Sequence, residues 1–346
     1  MIRADRQMGF LLQYENVAWY EDGVVRILDR RIFPVEVRYV YCHDYKEVCQ
    51  AIKDMVTQSA GPYCAASMGM VLASREVEGR PSEEVRAYLT QAAYDLSHSR
   101  PTTSKGMERI TGTSLAIALD LLEKGAGGSE VTEALLEYAV TRMNNNYLKY
   151  EKTAGYLFEK IPDNGTILTQ CFAETVLGTL FRKINQTGKQ VKVICAETRP
   201  FFQGARLTAS LANEMGLDVT VISDNMIGIT MQRKKIDLFT SAADVITMDG
   251  HVVNKVGTFQ IALMADHFGI PYYVTGEPDI SHGGIDSVII EERDPQEVLS
   301  SMGRKIVEEG VRGYYPAFDI TPPDLVTGVV TDRGIYLPEE CYHYHD

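Results

Sequence analysis

One thiol and one carboxyl group each follow a short apolar run, a placement in which such side chains could do chemistry. Cys171 follows the apolar run Ile167-Leu168-Thr169-Gln170 and precedes a stretch that reads as a helix. A thiol at a helix N-terminus has a lowered pKa, because the helix dipole favours thiolate. A lone cysteine is otherwise a small buried hydrophobe, and the position directly after a strand is what favours chemistry here. Asp244 closes Ser241-Ala242-Ala243-Asp244, just after another short apolar run. An acid desolvated at a strand end has a raised pKa and can act as a general acid near neutral pH. The plainer reading is a cap or turn aspartate.

Three further segments could hold an anion. Gln203-Gly204-Ala205-Arg206 follows the strand-like Val191–Cys195 and opens a helix, where exposed N–H groups suit phosphate and glycine lets the backbone approach. Asn254-Lys255-Val256-Gly257-Thr258 precedes an apolar helix, and Arg100-Pro101-Thr102-Thr103 puts a cation at a helix break. Taken singly, the lysine reads as a solvated charge and the arginine as part of a turn. Neither GxGxxG nor a Walker motif is present, which counts against a nucleotide-dependent oxidoreductase. The seven histidines are scattered, and His343 and His345 have no partner at metal-ligand spacing.

The elements that must position these residues fall into two halves, 1–150 and 151–346. In the first, Val24–Leu28 and Val35–Val40 read as strands after the turn Glu21-Asp22-Gly23. Tyr45–Met55, Ser82–Leu96 and Val131–Met143 have apolar residues at helical spacing, with Pro81 starting one helix. This half is expected to be mostly helical with a small β element. Residues 144–165, from Asn144-Asn145-Asn146 to Pro162-Asp163-Asn164-Gly165, read as a helix bounded by breaks that marks the domain transition. In the second half, Ile167–Thr169, Val191–Ile194, Val219–Ile222, Leu238–Thr240 and Pro271–Val274 are short apolar runs with helical segments between several of them. That rhythm predicts an α/β domain built on a Rossmann-like parallel sheet covered on both faces. Ligands in such folds bind beyond the carboxyl ends of the strands.

The chain has 346 residues, 45% hydrophobic and 23% charged, enough for a sizeable core. Its formal net charge of -13 argues against nucleic acid or an anionic membrane as partner, since each needs a basic face. A phosphate-bearing small molecule remains compatible, because a few aimed N–H groups and one or two cations suffice. The six cysteines form no CxxC pair, the start lacks the apolar run of a signal peptide, and no membrane span is expected. A cytoplasmic location with reduced thiols is the expectation.

Together the segments resemble the methylthioribose-1-phosphate isomerase family, which shares its fold with ribose-1,5-bisphosphate isomerases and the initiation-factor 2B regulatory subunits. The resemblance runs nearly end to end: Asp22-Gly23, Leu28-Asp29-Arg30-Arg31, Pro34-Val35-Glu36, Arg100-Pro101-Thr102, Ile167-Leu168-Thr169 with Cys171, and Glu197-Thr198-Arg199-Pro200. It continues through Gln203–Ala209, the most specific stretch, then Ser223-Asp224-Asn225-Met226, Asp244, Asn254–Thr258, Glu291-Glu292-Arg293 and Pro316–Pro322. The resemblance implies a mostly helical N-terminal domain joined to a Rossmann-like one, usually as a homodimer. It implies that Cys171 and Asp244 are catalytic and that Arg100, Gln203, Asn254 and Lys255 bind substrate, with Gly204 beside Gln203. The reaction implied converts an aldose 1-phosphate to the ketose 1-phosphate without a cofactor. The acid protonates the ring oxygen, and hydrogen passes from C2 to C1 by an enediol or a hydride route.

Several positions depart from the family pattern. Gln58-Ser59-Ala60-Gly61 stands where Arg-Gly-Ala-Pro is usual, Gln170-Cys171-Phe172 replaces His-Cys-Asn, and Val245 takes the place of an arginine. Losing a guanidinium removes a bidentate contact worth roughly 1.5–3 kcal/mol. Gln58, Ser59 and Ala60 are therefore expected to line the substrate site with altered contacts. S-methyl-5-thioribose 1-phosphate heads the substrate candidates, followed by 5-deoxyribose 1-phosphate and then ribose 1,5-bisphosphate, whose second phosphate would want more cations. A non-catalytic ligand-sensing or assembly protein is the alternative class, disfavoured by the retention of both Cys171 and Asp244.

Overall fold

The computed structural model describes residues 3–100 and 104–346. Internal contacts divide the chain between Leu148 and Lys149 into two units. In the first, β1 (Ala18–Glu21), β2 (Val24–Leu28) and β3 (Tyr39–Cys42) form an antiparallel meander. The strand expected over Val35–Val40 starts later: Val35 and Val37 are 82% and 55% exposed, and pairing with β2 begins only at Tyr39. Helices α1 (Tyr45–Lys53), α2 (Gly61–Glu76), α3 (Ser82–Ser97) and α4 (Ser104–Glu123) follow. Asp44 starts α1 by accepting from the Glu47 N–H (2.8 Å), while Glu47 accepts from the His43 N–H (2.7 Å), a reciprocal cap.

Helix α5 (Gly128–Glu159) runs straight through Asn144-Asn145-Asn146, so the break expected there is absent. Asn144 is buried and its side-chain oxygen accepts from the Ala4 N–H (2.8 Å) and the Tyr14 hydroxyl (3.1 Å). Those bonds compensate a residue type that otherwise competes with helix. The boundary between the units lies inside this helix.

The second unit holds β4 (Gly165–Thr169), α6 (Glu174–Thr187), β5 (Val191–Ala196), α7 (Ala209–Glu214), β6 (Asp218–Ile222), α8 (Ile227–Arg233) and β7 (Leu238–Ala242). Then come β8 (Val245–Ile246), β9 (Val252–Lys255), α9 (Thr258–His267), β10 (Tyr272–Thr275), the small β11 (Ser300–Ser301) and β12 (Arg304–Lys305), β13 (Phe318–Thr321), β14 (Gly328–Val330) and β15 (Ile335–Tyr336). The main sheet has the order β6-β5-β4-β7-β10-β14-β15, parallel except for β15 at one edge. From β4 the chain winds outward through β5 and β6, then returns to place β7 on the other side of β4. That is doubly wound topology with its switch point between β4 and β7. Leu168, Ile194, Phe239, Val274 and Val329 from the sheet pack with Ile227, Met231, Ile261 and Ala265 of α8 and α9 in one buried cluster. A second, three-stranded sheet, β13-β9-β8, is antiparallel. Among the described residues no helix is long and apolar enough to cross a membrane.

Candidate active site

The switch point is where the two candidate residues, Cys171 and Asp244, lie. β4 and β7 are neighbours in register, Thr169 opposite Thr240. Cys171 stands two residues beyond the end of β4 at Thr169, and Asp244 two residues beyond the end of β7 at Ala242. Crossing a fully paired sheet, parallel strands bring their carboxyl ends to one edge, so residues far apart in sequence meet there.

Cys171 is held by its backbone. Its N–H donates to Thr198 Oγ1 (2.8 Å), the Thr198 hydroxyl donates to the Ala196 carbonyl (3.1 Å), and the Thr208 hydroxyl donates to the Cys171 carbonyl. Thr198 is fixed in turn by Asp224, whose carboxylate accepts from the N–H groups of Thr198 (2.8 Å) and Arg199 (2.7 Å). Cys171 has φ of 58°, a left-handed conformation that turns the chain sharply between β4 and α6. The helix itself begins only at Glu174, so the thiol is not at its N-terminus and the expected lowering of its pKa does not occur. Burial pushes the Cys171 thiol up to about 11, opposed by the charge of Lys255, reinforced by Asp244, and opposed again by the Phe172 N–H and Arg293. The thiol is enclosed although part of the residue reaches solvent.

Asp244 departs from expectation in another way. It is exposed, because it occupies the turn linking β7 to β8 and not the buried strand. Its N–H donates to the Val253 carbonyl of β9 (2.9 Å), which ties the turn to the second sheet.

Gln203 precedes a π-helical turn, Gly204–Thr208, a distortion that recurs at functional sites. The amide oxygen of Gln203 is buried and has no hydrogen-bond partner among the described residues, so it is able to accept from a ligand hydroxyl. The N–H groups expected to meet phosphate here are occupied: Ala205 donates to the Glu197 carbonyl (3.3 Å) and Arg206 to that of Phe202 (2.7 Å). The Arg206 side chain donates to the Phe201 carbonyl (2.9 Å). At Gly204 a Cβ would lie 1.8 Å from the Ala196 carbonyl oxygen, a backbone atom that cannot move aside. Gly204→Ala should therefore cost about 1–3 kcal/mol of stability, read from the denaturant midpoint.

Asn254 and Lys255 end β9, and both are buried. Lys255 Nζ donates to the Tyr315 hydroxyl (3.3 Å) and lies 4.9 Å from the Phe318 ring centre, which Arg293 also faces at 5.4 Å. The turn after Lys255 is tightly tied. Gln170 donates through Nε2 to the Lys255 carbonyl (3.0 Å) and to Thr258 Oγ1. Asn254 Nδ2 donates to Thr258 Oγ1 (3.0 Å), and Thr258 Oγ1 donates to the Lys255 carbonyl (2.7 Å). Gly257, at φ of 105°, makes the turn into α9.

The second unit thus brings Asp244 and Lys255 each within electrostatic reach of Cys171, with Asn254 beside Lys255. Gln58, Ser59, Ala60 and Arg100 belong to the first unit. Gln58 is buried and Arg30, itself fully buried, donates to its carbonyl (2.7 Å); Ser59 has φ of 57° and Ala60 starts α2. Arg100 is half-buried, while Pro101, Thr102 and Thr103 lie outside the described residues. Phe172 is buried. Thr198, Thr208, Asp224, Arg293, Tyr315 and Asp319 were not singled out by sequence reasoning. Most lie in segments that carry the family resemblance, but nothing local reveals which residue each one holds. Among the described residues no group of three His, Cys, Asp or Glu is arranged to hold a metal ion.

Strand order and site together make the second unit a doubly wound α/β enzyme domain, with its candidate chemistry at the switch point. The family model of the initiation factor 2 subunit family matches residues 57–338. The methylthioribose-1-phosphate isomerase of Pelotomaculum thermopropionicum is 35% identical over 342 residues, covering 94% of this chain and 91% of that protein. Two solved structures superimpose with TM-scores of 0.81. The 5-methylthioribose 1-phosphate isomerase of Pyrococcus horikoshii OT3 is 29% identical, with 95% and 94% of the chains covered. The translation initiation factor eIF-2B subunit delta of A. fulgidus is 32% identical, with 94% and 96% covered. The chain belongs to the initiation factor 2 subunit family and, within it, to the methylthioribose-1-phosphate isomerases; it is an aldose–ketose isomerase.

Proposed function

We propose that the chain converts S-methyl-5-thioribose 1-phosphate to the corresponding ketose 1-phosphate, with Asp244 as acid and Cys171 beside the migrating hydrogen. The observation that carries this reading is the placement of both groups at the carboxyl ends of adjacent central strands, with Lys255 in electrostatic reach. The names of the similar curated proteins support the same substrate.

A sugar phosphorylated on its anomeric oxygen cannot open as a free hemiacetal does. Asp244 gives its proton to the ring oxygen as the bond from that oxygen to C1 breaks, which leaves an electron-poor C1. A hydride then moves from C2 to C1, and the C2 hydroxyl loses its proton to Asp244 as the ketone forms. Atoms and electrons balance, the product is an isomer, and the aspartic acid is restored. Bound substrate supplies the water exclusion that packing does not give Asp244. A thiol titrating at about 11 is protonated at neutral pH, and forming thiolate at pH 7 would cost about 5 kcal/mol. That cost favours the hydride shift over an enediol route with Cys171 as base. Lys255, Asn254 and Gln203 bind the phosphate and sugar hydroxyls. A sensing or assembly role is the weaker reading, because it gives the paired thiol and carboxyl nothing to do.

The test is turnover followed by NMR in D2O over a panel of S-methyl-5-thioribose 1-phosphate, 5-deoxyribose 1-phosphate and ribose 1,5-bisphosphate. Conversion of the methylthio compound, with no solvent deuterium at C1 of the product, is expected. Inertness over the whole panel would reject the enzymatic reading, and deuterium at C1 would reject the hydride route.

A further inference from the structure

The turn between β9 and α9 is gripped from two sides. On one side is Gln170, the residue before Cys171, which donates to the Lys255 carbonyl (3.0 Å) and to Thr258 Oγ1. On the other is Asp319 of β13, the register partner of Asn254. Asp319 Oδ2 accepts from the Gly257 N–H (2.6 Å) and Oδ1 from the Phe259 N–H (3.1 Å). A carboxylate from a neighbouring strand therefore fills the N-terminus of α9, the place sequence reasoning offered to phosphate, and caps the helix from 60 residues away in the chain. The same strand β9 receives the Asp244 N–H at Val253. Cys171, Asp244 and Lys255 are thus all referred to one segment, and Asp319 fixes the end of it.

We propose that Asp319 is a positioning residue of the active site: its carboxylate holds the β9–α9 turn in the shape that presents Lys255 and docks Gln170 beside Cys171. This deepens the isomerase reading and rests on it for the meaning of the site. Two parallel N–H bonds to one ionised group are stronger than neutral ones and fix direction as well as distance. A protonated carboxyl keeps one good acceptor and turns a donor toward the second N–H, so protonation relieves the buried charge but gives up the two-bond geometry.

The surroundings set when that happens. Burial pushes Asp319 up to about 6, against the Gly257 and Phe259 N–H groups and the charge of Lys255. From β10 Tyr272, whose hydroxyl bonds with Ser241 Oγ (2.7 Å), is also within electrostatic reach of it and is neutral at these pH values. Because the folded value lies above the ordinary 3.8, the folding contribution of this acid is greatest at low pH and is lost as pH rises through about 6. Ionised Asp319 is therefore kept against stability, which is what a residue serving the geometry of a site would show.

Two measurements test the role. In the wild-type protein, hydrogen exchange of the peptide containing Gly257 and Phe259, corrected for intrinsic rates, should gain protection as pH falls from 7.5 through about 6 to 5, because the closed turn binds the Asp319 proton more tightly than the opened one. In Asp319→Asn, kcat/KM for the sugar phosphate should fall about 30- to 100-fold, and its decline on the acid side of neutrality should disappear. The rate of alkylation of Cys171, which needs no substrate, should change at least about threefold with the lost docking of Gln170. Protection that stays constant or falls from pH 7.5 to 5 overturns the proposal, as does a variant within about twofold of wild-type kcat/KM. If the variant fails to fold, the wild-type exchange profile decides. If wild type turns over no sugar phosphate while exchange and alkylation respond as expected, the reaction assignment fails and the role of Asp319 at the turn stands.

Discussion

Asp244→Asn is expected to lower kcat by about 10²–10⁴-fold with a change in folding stability within about 0.5 kcal/mol. The asymmetry follows from where the residue sits. Asp244 is exposed, and its backbone N–H, which bonds to the Val253 carbonyl, is untouched by the substitution. Asparagine keeps the size of the side chain but has no acidic proton to give the ring oxygen. Ring opening is the step that an anomeric phosphate makes difficult, so the loss should fall on kcat with KM nearly preserved. Steady-state kinetics beside a urea titration separates the two effects. A loss of activity that scales with a loss of stability would mean that Asp244 is a structural turn residue.

Cys171→Ser is expected to lower kcat by about 10- to 100-fold without unfolding the protein, because on the hydride route the enclosed thiol shapes and dries the surroundings of the migrating hydrogen and carries no proton. Cys171 bonds through its N–H and carbonyl, to Thr198 and Thr208, and serine keeps both. What changes is the polarisable thiol, which burial holds at about 11. That value makes a second expectation. Alkylation of wild-type Cys171 by iodoacetamide should be slow at pH 7 and rise about tenfold per pH unit toward 10. A rate already at its plateau near pH 8 would reveal a thiolate, and the enediol route would then regain its base.

Much of the second unit was legible because its signals are local. Ile167–Thr169, Val191–Ile194, Val219–Ile222, Leu238–Thr240 and Pro271–Val274 each became a strand of the main sheet. A strand buried on both faces must be apolar throughout, so the run announces itself. β9 and β13 gave no such signal. They are short, antiparallel and brought together from residues more than sixty apart, such as Asn254 and Asp319. The same non-locality hid Thr198, Thr208 and Asp224, whose work is done on Cys171 and its neighbours. Where a local rule and a tertiary contact compete, the contact wins. Asn144 stays helical because its side chain is occupied by Ala4 and Tyr14, and Cys171 is governed by desolvation and not by a helix dipole.

The bond from Asp319 to the start of α9 has a consequence for how the protein is made. Ribosomes deliver the strands bearing the thiol and the acid first, and β4 and β7 can pair as soon as both have emerged. The lysine turn must wait until the polypeptide has grown past residue 319. A nascent chain stalled short of that point would own both reactive side chains and still be inert, so catalysis would switch on only late in synthesis.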